Sequence, residues 1–256
     1  PSARTMGDVD FYVPASDFNR ALEVIETSWK VDIDREELDK HYSFDYQGIR
    51  FEMHYQIETF GSTRHQRYFN RMMDENVRKG TDGFELLDAV GGDSSVRVAM
   101  LSPTENLIVV FKHWFNHLLV EGVGLRQTVD LAVLLHNYRD QIEAAKLMSA
   151  LEHIGYLPAF RALLVMMRKY FQLTSVESYC ILNERDEQYA DKLMATVLES
   201  GNFGRKAYKN YSAGNKKSLE TARKALAHCM KFFWLAPLDI LCLIPKRIWI
   251  SAKQKV

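Results

Sequence analysis

Hydrophobic and polar positions in the first hundred residues switch between strand and helix periods. Asp8 to Val13 (DVDFYV) alternates, with Val9, Phe11 and Val13 on one side and Asp8, Asp10 and Tyr12 on the other; Pro14 stops the run. Ser16 or Asp17 then stands where it can cap a helix whose apolar stripe is Phe18, Leu22, Ile25 and Trp29. His41 to Tyr46 and Ile49 to Ile57 read as strands joined at the turn pair Gln47-Gly48. In the second strand Ile49, Phe51, Met53, Tyr55 and Ile57 share one face, and Arg50, Glu52, His54 and Gln56 share the other. Residues 64–79 predict a helix with Tyr68, Phe69, Met72 and Met73 inward; Gly91-Gly92-Asp93 reads as a loop and Val96 to Leu101 as a short strand.

The period changes after Ser102. Pro103 and Thr104 open a helix through Leu107, Val110, Phe111, Trp114 and Leu118. Gly122 and Gly124 break it, Leu125 to Asn137 forms the next helix, and helical patterning continues to about residue 200. The Met and aromatic residues at 160–171 fall at helical spacing and read as core. GNFG at 201–204 and SAGN at 212–215 are turn-rich breaks before a basic helical tail. The pattern therefore predicts an α+β chain: a mixed head over 1–101, followed by an α-helical body over 102–256.

Composition narrows the class. The 256 residues are 47% hydrophobic and 26% charged, which fits a globular core and excludes a disordered chain. Lys plus Arg equals Asp plus Glu at 33 each, which argues against a protein that coats nucleic acid through global positive charge. The charge is uneven, however: Arg205 to Val256 carries 12 basic and 2 acidic residues. Cys180, Cys229 and Cys242 have neither CxxC nor Cys-His metal spacing, so a disulfide framework and a zinc ribbon are not expected and a reducing compartment is. The longest apolar run, Phe232 to Pro245, is too short to span a bilayer, and no secretory leader is visible. The expected location is cytoplasmic. The chain begins at Pro1 rather than Met, and a longer parent protein is expected.

The candidate chemistry centres on Gly7-Asp8-Val9-Asp10. Residues two apart on a strand point the same way, so Asp8 and Asp10 offer two carboxylates on one face. Two such charges call for a cation, and Mg²⁺, a hard ion bound by oxygen, is the natural one. Glu52 adds a third acid if its strand lies beside the first. A solvated polar face explains the same spacing, and on spacing alone the two readings stand level. Tyr12 stands where a haloacid-dehalogenase phosphatase has Thr, and only seven residues precede Asp8, too few for a glycosyltransferase nucleotide-binding half.

On these residues the chain resembles the nucleotidyltransferase fold of the polymerase-β superfamily. More closely, it is similar to a little-characterised bacterial family of nucleotidyltransferases. The matching stretches are Arg4 to Val13, Phe51 to Tyr55, Leu107 to His117, Gly124-Leu125-Arg126 with Asp130, and Gly201 to Gly204. The resemblance implies a small mixed-sheet catalytic head and a helical body, with Asp8, Asp10 and Glu52 as metal ligands and catalytic residues. It implies Mg²⁺ or Mn²⁺ as cofactor and an NTP, ATP foremost, as substrate. It also implies transfer of a nucleoside monophosphate to an unidentified acceptor by in-line attack with two metal ions. The superfamily carries a Gly-Ser or Gly-Gly turn just before its first Asp, which grips the triphosphate through backbone N–H groups. Residues 1–7 lack it, so it is expected upstream of Pro1 or not at all, with weak nucleotide binding by this chain alone.

Three further residues are candidate nucleotide contacts. His54 shares the polar face with Glu52, where it either orients a carboxylate or is an ordinary polar-face histidine. Lys112, in an apolar helix, is by resemblance a contact for the outer phosphates, and otherwise a snorkelling surface lysine. Arg126 is a substrate-facing cation or half of an i,i+4 pair with Asp130. The tail from Lys231 has three readings: a helix covering the body, a contact with an anionic membrane surface peripheral to the inner membrane, or a nucleic-acid groove, the last disfavoured. The alternative to an enzyme is a non-catalytic protein of the same fold that binds a partner or a membrane surface.

Overall fold

The computed structural model describes residues 7–35, 41–78, 100–120, 122–200 and 226–242. The chain forms two compact units, Pro1–Thr59 and Phe60–Val256. The loop at Gly91–Asp93, the turns at 201–204 and 212–215, the tail beyond residue 242 and most of the strand expected at Val96–Leu101 lie outside the described residues. Met100 and Leu101 are not in a strand.

The first unit is a three-stranded mixed sheet with one helix. Its elements are β1 (Val9–Tyr12), α1 (Phe18–Trp29), β2 (His41–Tyr46) and β3 (Ile49–His54). The strand order is β1-β3-β2, with β1 parallel and β2 antiparallel to the central β3. The β2–β3 turn has Gln47 at φ +51° and Gly48 at φ +77°. Positive φ at both central residues gives the turn the hand that matches strand twist and fixes the register, with His41 opposite His54 and Ser43 opposite Glu52. β3 ends at His54 rather than continuing to Ile57; the Val13 N–H donates to the His54 carbonyl (2.9 Å) as the pairing with β1 closes.

Alternation along the strands decides which face α1 covers. Phe18, Leu22 and Ile25 of α1 pack with Phe44 and Met53, and Phe11, Val13, Tyr42, Phe51 and Tyr55 surround them. Trp29 closes the end of this core, stacked on Tyr46 (4.6 Å between centroids) and edge-on to Phe44 and Phe51. The cap expected from Ser16 or Asp17 does not form. Asp17 holds the N-cap position, but at φ −108°, ψ −4° its backbone lacks the extended geometry that turns a cap side chain onto the helix.

The second unit is helical: α2 (Thr63–Arg78), α3 (Pro103–Val120), α4 (Leu125–Asn137), α5 (Ala144–His153), α6 (Leu157–Phe171) and α7 (Glu184–Ser200). A 3₁₀ turn follows at Thr174–Ser178, and helical turns over 226–231 and 237–242 flank another at Phe233–Leu235. Pro103 sits at the start of α3, where its missing N–H costs nothing, and the Glu105 N–H reaches the Ser102 hydroxyl (3.5 Å). Gly122, at φ +87°, ends α3, its N–H donating to the His117 carbonyl (2.8 Å). Helix α6 is buried on nearly all sides, with Ala159, Phe160 and every residue from Ala162 to Met167 inside, because it packs between α5 and α7. The start of the tail belongs to this core: Phe232, Leu235 and Ile240 are fully buried.

Candidate functional site

The face of the sheet opposite α1 carries the polar side chains. Parallel register sets Asp10 opposite Glu52 and Tyr12 opposite His54, while the β2–β3 hairpin brings Ser43 to Glu52 and His41 to His54. Neighbours across a sheet share a face, so Asp10, His41, Ser43, Glu52 and His54 converge without any long-range loop to position them. Asp8 lies one residue before β1 and is exposed.

Hydrogen bonding ties the group together. His54 Nε2 meets Asp10 Oδ1 at 2.7 Å. The same nitrogen lies 3.6 Å from Glu52 Oε2, and His41 Nε2 lies 3.6 Å from that oxygen too. The two imidazoles are 4.8 Å apart between ring centroids. His54 and Glu52 are largely buried, at 8% and 21% side-chain exposure, whereas Asp10 is open at 62%. Below them, Arg50 pairs with the Asp45 carboxylate (3.4 Å) and donates to the Ser43 hydroxyl.

Burial pushes the Glu52 carboxyl above its ordinary range, and the carboxylates of Asp10 and Asp8 push it further; His41 and His54 pull it back. The arrangement is thus a largely buried acid crowded by two other acids. Such a donor set fits a divalent cation, which would relieve the repulsion that the two imidazoles offset only in part. His41, Glu52 and His54 each offer a ligand atom, all within 4.8 Å of one another.

Of the residues singled out in the sequence, Asp10, Glu52 and His54 come together, with Asp8 at the margin and near enough to act on Glu52. Lys112 and Arg126 belong to the helical unit. The Lys112 ammonium is 1% exposed, so it is not a snorkelling surface group. It donates to Asn116 Oδ1 (2.6 Å), lies 3.6 Å from Asp239 Oδ2, and sits 4.7 Å from the ring centroids of both Phe60 and Tyr156. Arg126 is exposed in the first turn of α4. The residue that single-strand reasoning missed is His41. A signal for it existed: a two-residue turn at 47–48 sets residue 41 opposite residue 54.

Among the described residues, no helix is long and apolar enough to cross a membrane. Comparison with curated proteins and with solved structures returned no match. Residues 1–172, well over half of the chain, match a family model described as an uncharacterised nucleotidyltransferase, and the chain belongs to that family.

Proposed function

We propose that the chain transfers a nucleoside monophosphate from an NTP, ATP foremost, to a hydroxyl or phosphate acceptor, with Mg²⁺ or Mn²⁺ as cofactor and residues 1–101 as the catalytic head. Asp8, Asp10 and Glu52 are the residues that would hold the ion. The observation that carries this reading is the pairing of Asp10 with Glu52 across adjacent parallel strands, on the sheet face opposite α1. A bound divalent ion supplies Lewis-acid polarisation of phosphoryl oxygens and neutralises developing charge.

The side chains have separable tasks. Where the acceptor is a hydroxyl, Glu52 takes its proton; a phosphate acceptor attacks as the anion it already is. The acceptor oxygen then bonds to the α-phosphorus as the bond from that phosphorus to the bridging oxygen breaks, and pyrophosphate leaves. His54 fixes the Asp10 carboxylate through their 2.7 Å hydrogen bond, which makes it a positioning residue. Lys112 and Arg126 are not needed for this reading, and the buried partners of Lys112 support a structural task instead.

Incubation with Mg²⁺, α-labelled NTP and an extract of small-molecule and protein acceptors tests the proposal. Label transferred by the wild type and lost in D10N and E52Q supports it. No transfer and no pyrophosphate release with any of the four NTPs would overturn it.

One observation favours a second reading beside the first. Trp234, Leu238 and Leu241 are at least half exposed, and Lys246, Arg247, Lys253 and Lys255 follow them in the sequence. An anionic membrane surface would suit that combination, through the apolar side chains and the Lys and Arg residues together.

A further inference from the structure

The two histidines change what the sheet face can bind. Three carboxylates alone make a hard oxygen site, the kind that suits Mg²⁺. Here His41 and His54 bring imidazole nitrogens to the same acid, and nitrogen donors favour borderline ions such as Zn²⁺, Co²⁺ and Ni²⁺. We propose that His41, Glu52 and His54, with Asp10, form a site for a borderline divalent transition-metal ion that shares Glu52 with the carboxylate set.

The separations fit such an ion. Zinc bonds to nitrogen and oxygen of roughly 2.0–2.2 Å at tetrahedral angles put neighbouring ligand atoms about 3.4 Å apart. His41 Nε2 and His54 Nε2 each stand 3.6 Å from Glu52 Oε2. The three ligand atoms of His41, Glu52 and His54 all lie within 4.8 Å of one another, on a three-stranded frame whose hairpin register sets His41 opposite His54. The fourth position belongs to Asp10. Its Oδ1 shares a proton with His54 Nε2 at 2.7 Å. An ion displaces that proton, leaving the Nε2 lone pair and the carboxylate both facing the metal. Coordination through Nε2 leaves the ring N–H on Nδ1, which is buried without a hydrogen-bond partner among the described residues, so the metal bond has to outweigh that desolvation. Exposure also suits a ligand that comes and goes: His41, Glu52 and His54 are mostly buried, while Asp10 opens to solvent at 62%.

Binding needs no nucleotide, so the proposal stands or falls apart from the transferase reading, although both use Glu52 and Asp10. The test is titration of the whole chain with Co²⁺ followed by visible absorption, and with Zn²⁺ followed by calorimetry. One equivalent of Co²⁺ should give ligand-field bands stronger than those of the aquo ion, and Zn²⁺ should displace it. H41Q and H54Q should each weaken Zn²⁺ at least about tenfold, or 1.4 kcal/mol. Mg²⁺ at tenfold excess should fail to remove the bands. A wild-type Co²⁺ spectrum identical to that of the aquo ion overturns the proposal without recourse to any variant. So does Zn²⁺ binding of undiminished strength in an H41Q/H54Q double variant whose circular dichroism matches the wild type.

Discussion

Glu52 shows at the scale of one side chain how a site can oppose stability. Its carboxyl is largely buried and faces two other acids, so the ionised form is disfavoured in the folded chain without metal. Replacing it with Gln removes the charge and keeps the shape. E52Q should therefore raise the stability of the metal-free protein at pH 7 by about 0.5–2 kcal/mol, read from urea unfolding. Added divalent ion should then stabilise the wild type more than the variant. Lys112 and Asp239 behave oppositely, because each is the other's compensation. The Asp239 carboxylate accepts from the Gly61 N–H (2.9 Å) and the Tyr156 hydroxyl besides facing the Lys112 ammonium. Removing one partner strands the other charge inside. K112M should cost about 3–5 kcal/mol, and pairing it with D239N should recover part of that loss.

His65 supplies a pH dependence of known sign. Burial lowers its pKa below the ordinary 6.5, as do Arg64 and Lys112, while Asp239 opposes them. The unfolded chain then takes up a proton near pH 6.5 that the folded chain refuses. Stability should fall as pH drops below 6.5, and the loss should level off once the pH passes the folded-state pKa. Urea midpoints at pH 7.5 and 5.0 measure this, and the difference should shrink in H65Q.

Among the elements, the β2–β3 hairpin carries the most functional weight, because its turn sets the register that joins His41 to His54 and Ser43 to Glu52. Gln47 adopts φ +51°, a left-handed conformation that costs an ordinary L-residue about 1–2 kcal/mol and Asn less. Q47N should raise the thermal midpoint while leaving metal and nucleotide binding unchanged. The strands of this hairpin could be read from alternation alone, and His41–Tyr46 agrees residue for residue. Pairing of β1 with β3 rather than β2 could not be read, since periodicity names a strand's faces but not its neighbour. The absent cap on α1 has a similar cause: Asp17 is a good capping residue by type, but it stands in a turn, its N–H donating to the Pro14 carbonyl (2.9 Å), at backbone angles that deny its side chain the bond.

At the scale of the whole molecule, the first part of the tail is core. Residues 226–242 supply buried Phe232, Leu235 and Ile240 and the Asp239 partner of Lys112, so they belong to the helical core. A deletion beginning at residue 232 should unfold or aggregate. One that removes only residues 243–256 should leave the circular dichroism intact, and liposome flotation of that variant on anionic vesicles isolates the basic segment's part in any surface binding.

The sequence by itself determined the α+β class, the edges of α2, α3 and α4 to within a residue or two, the alternation that puts acids on one sheet face, and the Gly-Asp-Val-Asp and Glu52 stretches behind the family resemblance. All of these are local: side-chain direction on a strand and apolar spacing on a helix follow from backbone geometry within a few residues. Tertiary structure decided the rest. It made β3 the central strand, and so brought Asp10 within hydrogen-bonding distance of His54, 44 residues away along the chain. It also turned Lys112, an apparent misfit in an apolar helix, into the partner of an aspartate 127 positions later. Contacts at that range depend on which strands and helices become neighbours, a choice made by burial over the whole fold that no window of sequence contains.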